Sequence, residues 1–176
     1  MPEARTSPSD LAFRVGLGWD LHRLEPLSPV GSGRPLVIGG VRFEHDRGPA
    51  GHSDGDVLLH ALTDALLGAI GGPDIGEVFS DSDPRWAGAD STVFVAEALR
   101  RVHAAGWRVV NTDAVVILER PRLAPSKQAV RDNLAGLLGI PIERVNIKGK
   151  THERIGPIGE GKAVEAQVVV LLARTS

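Results

Sequence analysis

The segment from Asp54 to Ile70 constrains the fold of this chain more than any other. Its apolar residues recur with the 3.6-residue period of an α-helix. They are Val57, Leu58, Ala61, Leu62, Ala65, Leu66 and Ala69. Ser53 or Asp54 can cap the first turn, because a short polar side chain accepts hydrogen bonds from the free amides there. A Gly-Gly-Pro sequence at residues 71–73 ends the helix. The sequence therefore predicts one long helix whose apolar side lies against the core.

The rest of the chain shows the patterns of a mixed α/β protein. Short β-branched or apolar runs predict strands, 3.6-residue periods predict helices, and Gly- and Pro-rich stretches predict loops. The predicted strands are Phe13–Gly18, Leu36–Ile38, Trp107–Leu118 with a bend near Asn111, Arg144–Lys148 and Val164–Leu172; the other helices are Ser91–Ala105 and Ser126–Leu138; the loops are Leu24–Arg34, Pro73–Gly88 and Gly149–Lys162. We expect an α+β fold in the order ββ-α-α-β-α-β-β, with a single layer of mostly four strands and helices on one face.

The length of 176 residues suits one domain. We assign the domain to residues 13–174 and predict a disordered leader at residues 1–12, which are polar and carry two prolines. The last predicted strand is apolar on both faces, since Val168, Val170 and Leu172 alternate with other mostly apolar residues. Helices on one side leave the second face uncovered, so we expect another copy of the chain to bury it.

Charge and composition exclude several kinds of function. The chain has 20 basic and 22 acidic residues and a net charge of −2, which argues against general nucleic-acid binding because that requires a basic face. No apolar run reaches the roughly 18–20 residues that a membrane helix needs, and no secretory signal is recognised. Because the chain has no cysteine, any metal must be held by His, Asp or Glu. The lack of cysteine also fits a reducing cytosol, so a cytoplasmic protein is expected.

Five ionisable residues predict a metal site. Asp20 and His22 are two residues apart, so in an extended segment both side chains point the same way and can converge on one ion. Asp56, His60 and Asp64 share one stripe of the predicted helix, beside its apolar side. Burial of unpaired charge is costly, and a metal would offset that cost. The ordinary alternatives are a capping aspartate, an exposed His22 and a His60 satisfied within the core. A zinc held by Asp20, His22 and His60 keeps an open fourth position, which is typical of catalytic zinc.

Other polar segments suit a phosphorylated ligand. His52 precedes the helix and can bind an anion or act in catalysis. Asp74 lies in a Gly- and Asp-rich loop where it can accept hydrogen bonds from sugar hydroxyls, whereas Asp81 can equally belong to a solvated acidic turn. The stretch Lys148–Gly156 offers amides near glycines, a threonine hydroxyl and cations to phosphate. Glu153 suits magnesium, which binds carboxylates together with substrate phosphates.

Taken together, these motifs resemble one family, the 2-C-methyl-D-erythritol 2,4-cyclodiphosphate synthases of the non-mevalonate isoprenoid pathway. The resemblance extends from Phe13 to Leu172. The stretch from His52 to Gly68 is highly specific for this family when it is joined to the upstream Asp-x-His. The segments that carry the resemblance are Arg14–His22, Leu36–Gly40, His52–Val57, Leu59–Gly68, Asp74–Gly76 and Asn111–Asp113.

The resemblance implies a phosphorus–oxygen lyase that forms a homotrimer with active sites between neighbouring subunits. Its substrate would be 4-diphosphocytidyl-2-C-methyl-D-erythritol 2-phosphate, and its products would be the 2,4-cyclodiphosphate and CMP. Zinc would be held by Asp20, His22 and His60, and magnesium or manganese by Glu153. The implied substrate-binding residues are His52, Ser53, Asp74, Gly76, Asp81, Thr151 and Arg154; the cytidine pocket, contributed by the next subunit, would contain Leu118, Pro121, Arg122, Leu123 and Ala124; Asp56 and Asp64 would orient the metal ligands.

Two other functions are compatible with the same residues. A zinc-dependent phosphohydrolase would share the metal site but use water, releasing phosphate or CMP. A non-catalytic nucleotide- or metal-binding module would bind cytidine nucleotides without turnover. Product analysis separates these from a synthase, because only intramolecular attack gives a cyclic diphosphate.

Overall fold

The computed structural model describes residues 12–51, 53–80 and 82–175. In chain order the elements are β1 (Phe13–Pro26), β2 (Leu36–Ile38), β3 (Val41–Phe43), β4 (Arg47–Pro49), α1 (Val57–Ala69), α2 (Ile75–Val78), α3 (Thr92–Ala104), β5 (Trp107–Ile117), α4 (Lys127–Leu138), β6 (Val145–Lys150), α5 (Gly156–Gly159) and β7 (Ala163–Arg174). Short 3-10 turns lie at Pro84–Trp86, Ala124–Ser126 and Ile142–Arg144. The predicted leader at residues 1–12 lies outside the described residues, except for residue 12. The predicted extent of the domain, residues 13–174, stays a prediction.

One five-stranded sheet forms the body of the chain, in the order β4-β1-β7-β5-β6. Strands β5 and β6 are parallel, whereas β7 runs antiparallel to both β1 and β5. The four longer strands correspond to the predicted single layer, and the short β4 adds a fifth strand beside the end of β1. Strands β2 and β3 form a separate hairpin. The predicted α+β fold is therefore confirmed.

Helix α1 packs unusually close to strand β1. A Cβ atom at Gly16 would lie 1.9 Å from the carbonyl oxygen of Ala65, and one at Gly18 would lie 1.8 Å from that of Ala61. Only glycine lets the two backbones approach to this distance. The contact holds α1 against the inner face of the sheet, so side chains from β1 and from α1 can meet at one site.

Strand β1 is longer than predicted. It continues past Gly18 to Pro26, because residues 13–23 pair with residues 163–173 of β7 and residues 24–26 pair with residues 47–49 of β4. Leu24 was predicted to lie in a loop, but it belongs to β1 and only 1% of it is exposed. Asp20 and His22 therefore lie within a regular strand rather than beyond its end.

Two local predictions have different outcomes. Helix α1 begins at Val57, and its N-cap is Asp56 rather than Ser53 or Asp54. The Asp56 carboxylate accepts hydrogen bonds from the first free amides of the helix, so the aspartate nearest to the helix start caps it.

The bend predicted near Asn111 is confirmed as a shift of register in the pairing of β5 with β7.

The face of the sheet opposite α1 is apolar and exposed. Its large apolar side chains are Phe13 (59% exposed), Val15 (66%), Leu17 (68%), Trp19 (54%) and Leu21 (42%) on β1 and Val169 (43%) on β7. A contiguous apolar patch of this kind marks a surface that is normally covered. The prediction of a second apolar face is confirmed, while its burial by another copy stays a prediction. No helix among the described residues is long and apolar enough to cross a membrane.

Candidate metal centre and phosphate cleft

The side chains of Asp20, His22 and His60 converge where β1 meets α1. His22 Nε2 lies 3.1 Å from His60 Nδ1, which lies 3.1 Å from Asp20 Oδ2. The third separation, between His22 Nε2 and Asp20 Oδ2, is 3.4 Å. In the part of the chain that the structure describes, this is the one cluster of three or more His, Cys, Asp or Glu residues whose donor atoms are close enough to share a metal.

The spacing of these three donor atoms suits a tetrahedral metal. Ligands at about 2.0–2.1 Å from a tetrahedral zinc lie roughly 3.3 Å from one another, close to the observed 3.1, 3.1 and 3.4 Å. The side chains are 26% (Asp20), 23% (His22) and 12% (His60) exposed, so a ligand can reach the cluster. The residues therefore fit a divalent metal with one coordination position left open.

The protonation states of two members also favour metal binding. Burial raises the pKa of Asp20, but the hydrogen bond with His60 and the neighbouring His22 outweigh burial, so this pKa lies below its usual range. Burial lowers the pKa of His22, and the Asp20 carboxylate offsets only part of that effect. Near neutral pH the pair is an ionised carboxylate and an uncharged imidazole, the forms that bind metals.

The second ring nitrogen of His60 faces away from the cluster. His60 Nε2 lies 2.9 Å from Ser91 Oγ and 3.2 Å from Ser53 Oγ. Ser91 Oγ in turn donates a hydrogen bond to Asp54, and the ring of Phe94 packs 5.7 Å from that of His60. Ser53 was a predicted substrate-binding residue. Ser91 and Phe94 were not predicted as site residues, because no spacing in the sequence links the start of α3 to α1, and Asp54 was predicted only as a cap.

Asp56 and Asp64 bind backbone amides rather than the side chains of the metal cluster. Besides capping α1, Asp56 accepts hydrogen bonds from the amides of Gly39 at 2.8 Å and Gly40 at 2.6 Å. Asp64 Oδ1 accepts one from the amide of Ile75 at 2.7 Å. These bonds attach the β2–β3 turn and α2 to the helix that carries His60. The predicted influence of Asp56 and Asp64 on the metal ligands stays a prediction.

Asp74 lies just before α2 and Gly76 lies within it, and both residues are exposed. Asp74 Oδ1 accepts a hydrogen bond from the amide of Glu77 at 2.9 Å, and Glu77 Oε1 accepts one from the amide of Asp74 at 3.3 Å, which closes a capping box. The predicted sugar contacts of these residues stay predictions. His52 and Asp81, both predicted to bind substrate, lie outside the described residues.

A cleft of about 1460 Å³ lies on another part of the chain. It is lined by the five predicted cytidine-pocket residues, Leu118, Pro121, Arg122, Leu123 and Ala124, together with the predicted phosphate ligands Thr151 and Arg154. Six lysines and arginines line the cleft against three acidic residues. The structure thus brings the predicted nucleotide and phosphate contacts together in a cationic cleft, which suits an anionic ligand.

Glu153 lies in an exposed turn beside this cleft. Glu153 and Arg154 have φ angles of 51° and 62°, a left-handed conformation that is uncommon for residues other than glycine and that clusters at functional sites. Glu119, which the sequence did not single out, holds the turn by accepting hydrogen bonds from the amides of His152 at 3.3 Å and Arg154 at 3.5 Å. Thr151 Oγ1 donates to Glu153 Oε1 at 2.5 Å. The predicted binding of magnesium or manganese by Glu153 stays a prediction.

The metal cluster and the cleft are separate within one chain, because none of the three metal-site residues lines the cleft. Asp20 on β1 pairs with Ala166 on β7, which also pairs with Val116 on β5. Val116 in turn pairs with Gly149 on β6. Three strand spacings, roughly 14 Å, therefore lie between the metal-site strand and β6, the strand that leads into the turn at residues 151–154.

The fold and these two groups of residues define a class: α+β proteins with a candidate divalent-metal site at a strand–helix junction and a separate cationic cleft. Residues 13–173 match the model of the YgbB family, and the chain belongs to this family. The family resemblance stated from the sequence motifs is confirmed by the curated relatives, which carry the name of the same synthase.

Two curated relatives and one solved structure illustrate the similarity. The chain is 53% identical over 171 residues to the chloroplastic 2-C-methyl-D-erythritol 2,4-cyclodiphosphate synthase of Oryza sativa subsp. japonica, covering 97% of this chain and 74% of the relative. It is 52% identical over 162 residues to the synthase of Paraburkholderia xenovorans, covering 92% and 98%. A solved structure of IspF from Plasmodium falciparum in a CDP complex is 31% identical with a TM-score of 0.80, covering 94% and 98%. Because the rice relative is chloroplastic, the cytoplasmic location predicted from the sequence stays a prediction.

Proposed function

We propose that this chain cyclises 4-diphosphocytidyl-2-C-methyl-D-erythritol 2-phosphate to 2-C-methyl-D-erythritol 2,4-cyclodiphosphate and releases CMP, as a phosphorus–oxygen lyase of the non-mevalonate isoprenoid pathway. The observation that carries the proposal is the convergence of Asp20, His22 and His60 in a chain that is 53% and 52% identical to curated synthases of this name. The cationic cleft, in a chain whose solved relative binds CDP, supports the cytidine part of the substrate.

The reaction is an intramolecular phosphoryl transfer. An oxygen of the 2-phosphate forms a bond to the β-phosphorus of the same molecule. The bond from the β-phosphorus to the oxygen of the cytidine phosphate breaks, and CMP leaves with that oxygen. No covalent intermediate with the protein is required, so the protein has to bring the phosphates together, neutralise their charge and exclude water.

Four side chains would hold the divalent metals. Asp20, His22 and His60 would bind zinc, whose donor set and spacing they fit, and the exposed Glu153 would bind magnesium or manganese together with substrate phosphates. When bound, these ions would neutralise charge on the diphosphate and make its phosphorus more electrophilic. The left-handed turn at Glu153 and Arg154 presents their side chains beside the cleft, held there by Glu119.

The remaining predicted residues would orient the substrate. Thr151 and Arg154 would hydrogen-bond the phosphates, and Ser53, beside His60, would contact the diphosphate near the metal. Asp74 would accept hydrogen bonds from hydroxyl groups, and its capping box with Glu77 keeps the carboxylate in one orientation. His52, Gly76 and Asp81 complete the proposed substrate-binding set, and Leu118, Pro121, Arg122, Leu123 and Ala124 the proposed cytidine pocket.

We propose that the complete site forms in a homotrimer, where the metal cluster of one subunit faces the cleft of the next. The exposed apolar face of β1 and β7 supports this arrangement, because burial of such a face stabilises association. The roughly 14 Å between the strands that carry the two groups is also compatible with a site that two subunits share.

Product analysis in ¹⁸O-labelled water tests the proposal. Purified protein loaded with zinc and magnesium is mixed with the substrate, and the products are followed by ³¹P NMR and mass spectrometry. We expect equal amounts of CMP and the cyclic diphosphate, both without ¹⁸O, because the nucleophile is the substrate's own phosphate. A linear product carrying ¹⁸O would identify a phosphohydrolase instead. Cytidine nucleotide binding without turnover would identify a non-catalytic module.

A further inference from the structure

Ser91 occupies the N-cap position of α3 without capping the helix. A serine at this position ordinarily accepts a hydrogen bond from an amide of the first turn, but the Ser91 side chain makes no such bond. Asp90 supplies one instead, accepting a hydrogen bond from the amide of Thr92 at 2.9 Å. The Ser91 side chain is fully buried and points away from its own helix. When a serine at a helix start does not cap the helix, we expect its side chain to serve a different purpose, often at a functional site.

The Ser91 hydroxyl links His60 to Asp54. Ser91 Oγ lies 2.9 Å from His60 Nε2 and hydrogen-bonds to Asp54 Oδ1, while Asp54 Oδ2 accepts the amide of Ser91 at 3.0 Å. The amide of Asp54 donates to the carbonyl of Ala89 at 3.0 Å, so the segments before α1 and α3 are fastened to each other. Asp54 therefore holds both the backbone and the side chain of Ser91.

The direction of these hydrogen bonds indicates which nitrogen of the His60 ring carries hydrogen. Asp54 also accepts a hydrogen bond from the amide of Asp56 at 3.2 Å, so its carboxylate accepts from all of these partners. The hydroxyl proton of Ser91 is thus directed to Asp54, and the oxygen presents a lone pair to His60 Nε2. The ring nitrogen on that side has to carry hydrogen, so the nitrogen that can give its lone pair to a metal is Nδ1, which faces Asp20 and His22.

We propose that Asp54 and Ser91 are positioning residues, which hold the His60 ring with Nε2–H bound to Ser91 and Nδ1 presented to the metal. The proposal rests on the metal cluster of the proposed function. A hydrogen bond to the second nitrogen fixes the ring and increases its basicity as a ligand, and loss of such partners typically weakens metal binding 10- to 100-fold. Ser53 Oγ, 3.2 Å from the same nitrogen, is a weaker second acceptor.

Zinc affinity measured by competition with a chelator tests the proposal without reference to activity. We expect Ser91→Ala to weaken zinc binding about 10- to 100-fold. Asp54→Asn should also weaken it, because an amide can donate to Ser91 and reverse the direction of the bond. Ser126→Ala is the matched control, since Ser126 is likewise an N-cap serine without a capping bond, and it should bind zinc like the wild type.

A second readout distinguishes positioning from simple support of the fold. In ¹⁵N-labelled, zinc-loaded protein, the Nε2–H proton of His60 should exchange slowly with water in the wild type and in Ser126→Ala, and much faster in Ser91→Ala. Zinc affinity of Ser91→Ala within twofold of the wild type would overturn the proposal, as would an equal loss in Ser126→Ala. If Ser91→Ala does not fold, Asp54→Asn decides by the same criteria. A wild type that binds no zinc would instead refute the metal site itself.

Discussion

At the scale of the residue, position 18 requires glycine because the backbone of α1 lies too close to leave room for a side chain. The Cβ atom of an alanine there would lie 1.8 Å from the carbonyl oxygen of Ala61 and 2.7 Å from the amide nitrogen of Ala65, both atoms of a helix backbone that cannot yield without moving. We expect Gly18→Ala to lower the free energy of unfolding by about 3 kcal/mol or more, measured by urea denaturation.

The control for this substitution is Gly136→Ala. Gly136 lies inside α4, and a Cβ atom there would meet nothing within 4 Å. Alanine at such a helix position should raise the free energy of unfolding by about 1 kcal/mol. If both variants changed stability in the same direction, the close approach of β1 and α1 would not explain the glycine.

Individual site residues were predictable to different degrees. Asp20 and His22 could be paired from the sequence because the period of a strand places them on one side, and His60 because a helical pattern surrounds it. Ser91 could not be found in this way. Ser91 reaches His60 only through tertiary packing of α3 against α1. A serine at a helix start is also ordinarily explained as a cap.

At the scale of the element, the pairing partners of β1 determine where it ends. Its apolar residues alternate with polar residues or glycine from Phe13 to His22, so the predicted end at Gly18 was too early. Strand β7 pairs with β1 as far as Arg23, and β4 pairs with its last three residues. The predicted helices at α1, α3 and α4 agree with the structure because a helix depends on local periodicity. The short strands β3 and β4 were missed, since three-residue strands exist only through their partners.

Helix α3 carries a charge cluster that makes its stability depend on pH. Hydrogen bonds from Arg100 and Arg101 lower the pKa of Glu97 from 4.5 to about 2. A carboxyl whose pKa is depressed in the folded state stabilises the fold above its unfolded pKa and loses that contribution as the pH falls. The contribution of Glu97 is therefore complete above about pH 4.5 and declines towards pH 2.

We expect Glu97→Gln to lower the free energy of unfolding by up to about 1 kcal/mol at pH 7, since the ion pairs are near the surface. The difference from the wild type should shrink as the pH is lowered from 5 to 3, measured by urea denaturation at each pH. With Arg100 and Arg101 both replaced by alanine, Glu97→Gln should show no such trend, because the hydrogen bonds that lower the pKa of Glu97 are gone. A difference for Glu97→Gln that stays constant over this range would exclude the ion pairs as its cause.

At the scale of the whole molecule, the apolar outer face of the sheet can be tested separately from the fold. Leu17 is 68% exposed in the single chain, so Leu17→Asp should leave the isolated subunit folded but prevent the burial of this face. We expect sedimentation velocity to show a trimer for the wild type and a monomer for Leu17→Asp, with unchanged circular dichroism. Val30→Asp, at a residue 86% exposed on a loop, should remain trimeric. A trimeric Leu17→Asp would place the interface elsewhere.

If neighbouring subunits share the active site, as proposed above, mixed trimers of two inactive variants should recover activity. His22→Ala removes a metal ligand, and Thr151→Ala removes a hydroxyl of the cleft, whose loss should cost about 100-fold in rate if it stabilises charge on the phosphates. If each site combines the metal cluster of one subunit with the cleft of the next, some sites of a mixed trimer contain neither substitution. Random mixing of equal amounts should give about a quarter of the wild-type activity, measured as CMP release after the two variants are refolded together.

Mass spectrometry has to show that the trimers contain both variants. If such trimers recover no activity, each chain completes its own site, because a site built within one chain always keeps its substitution.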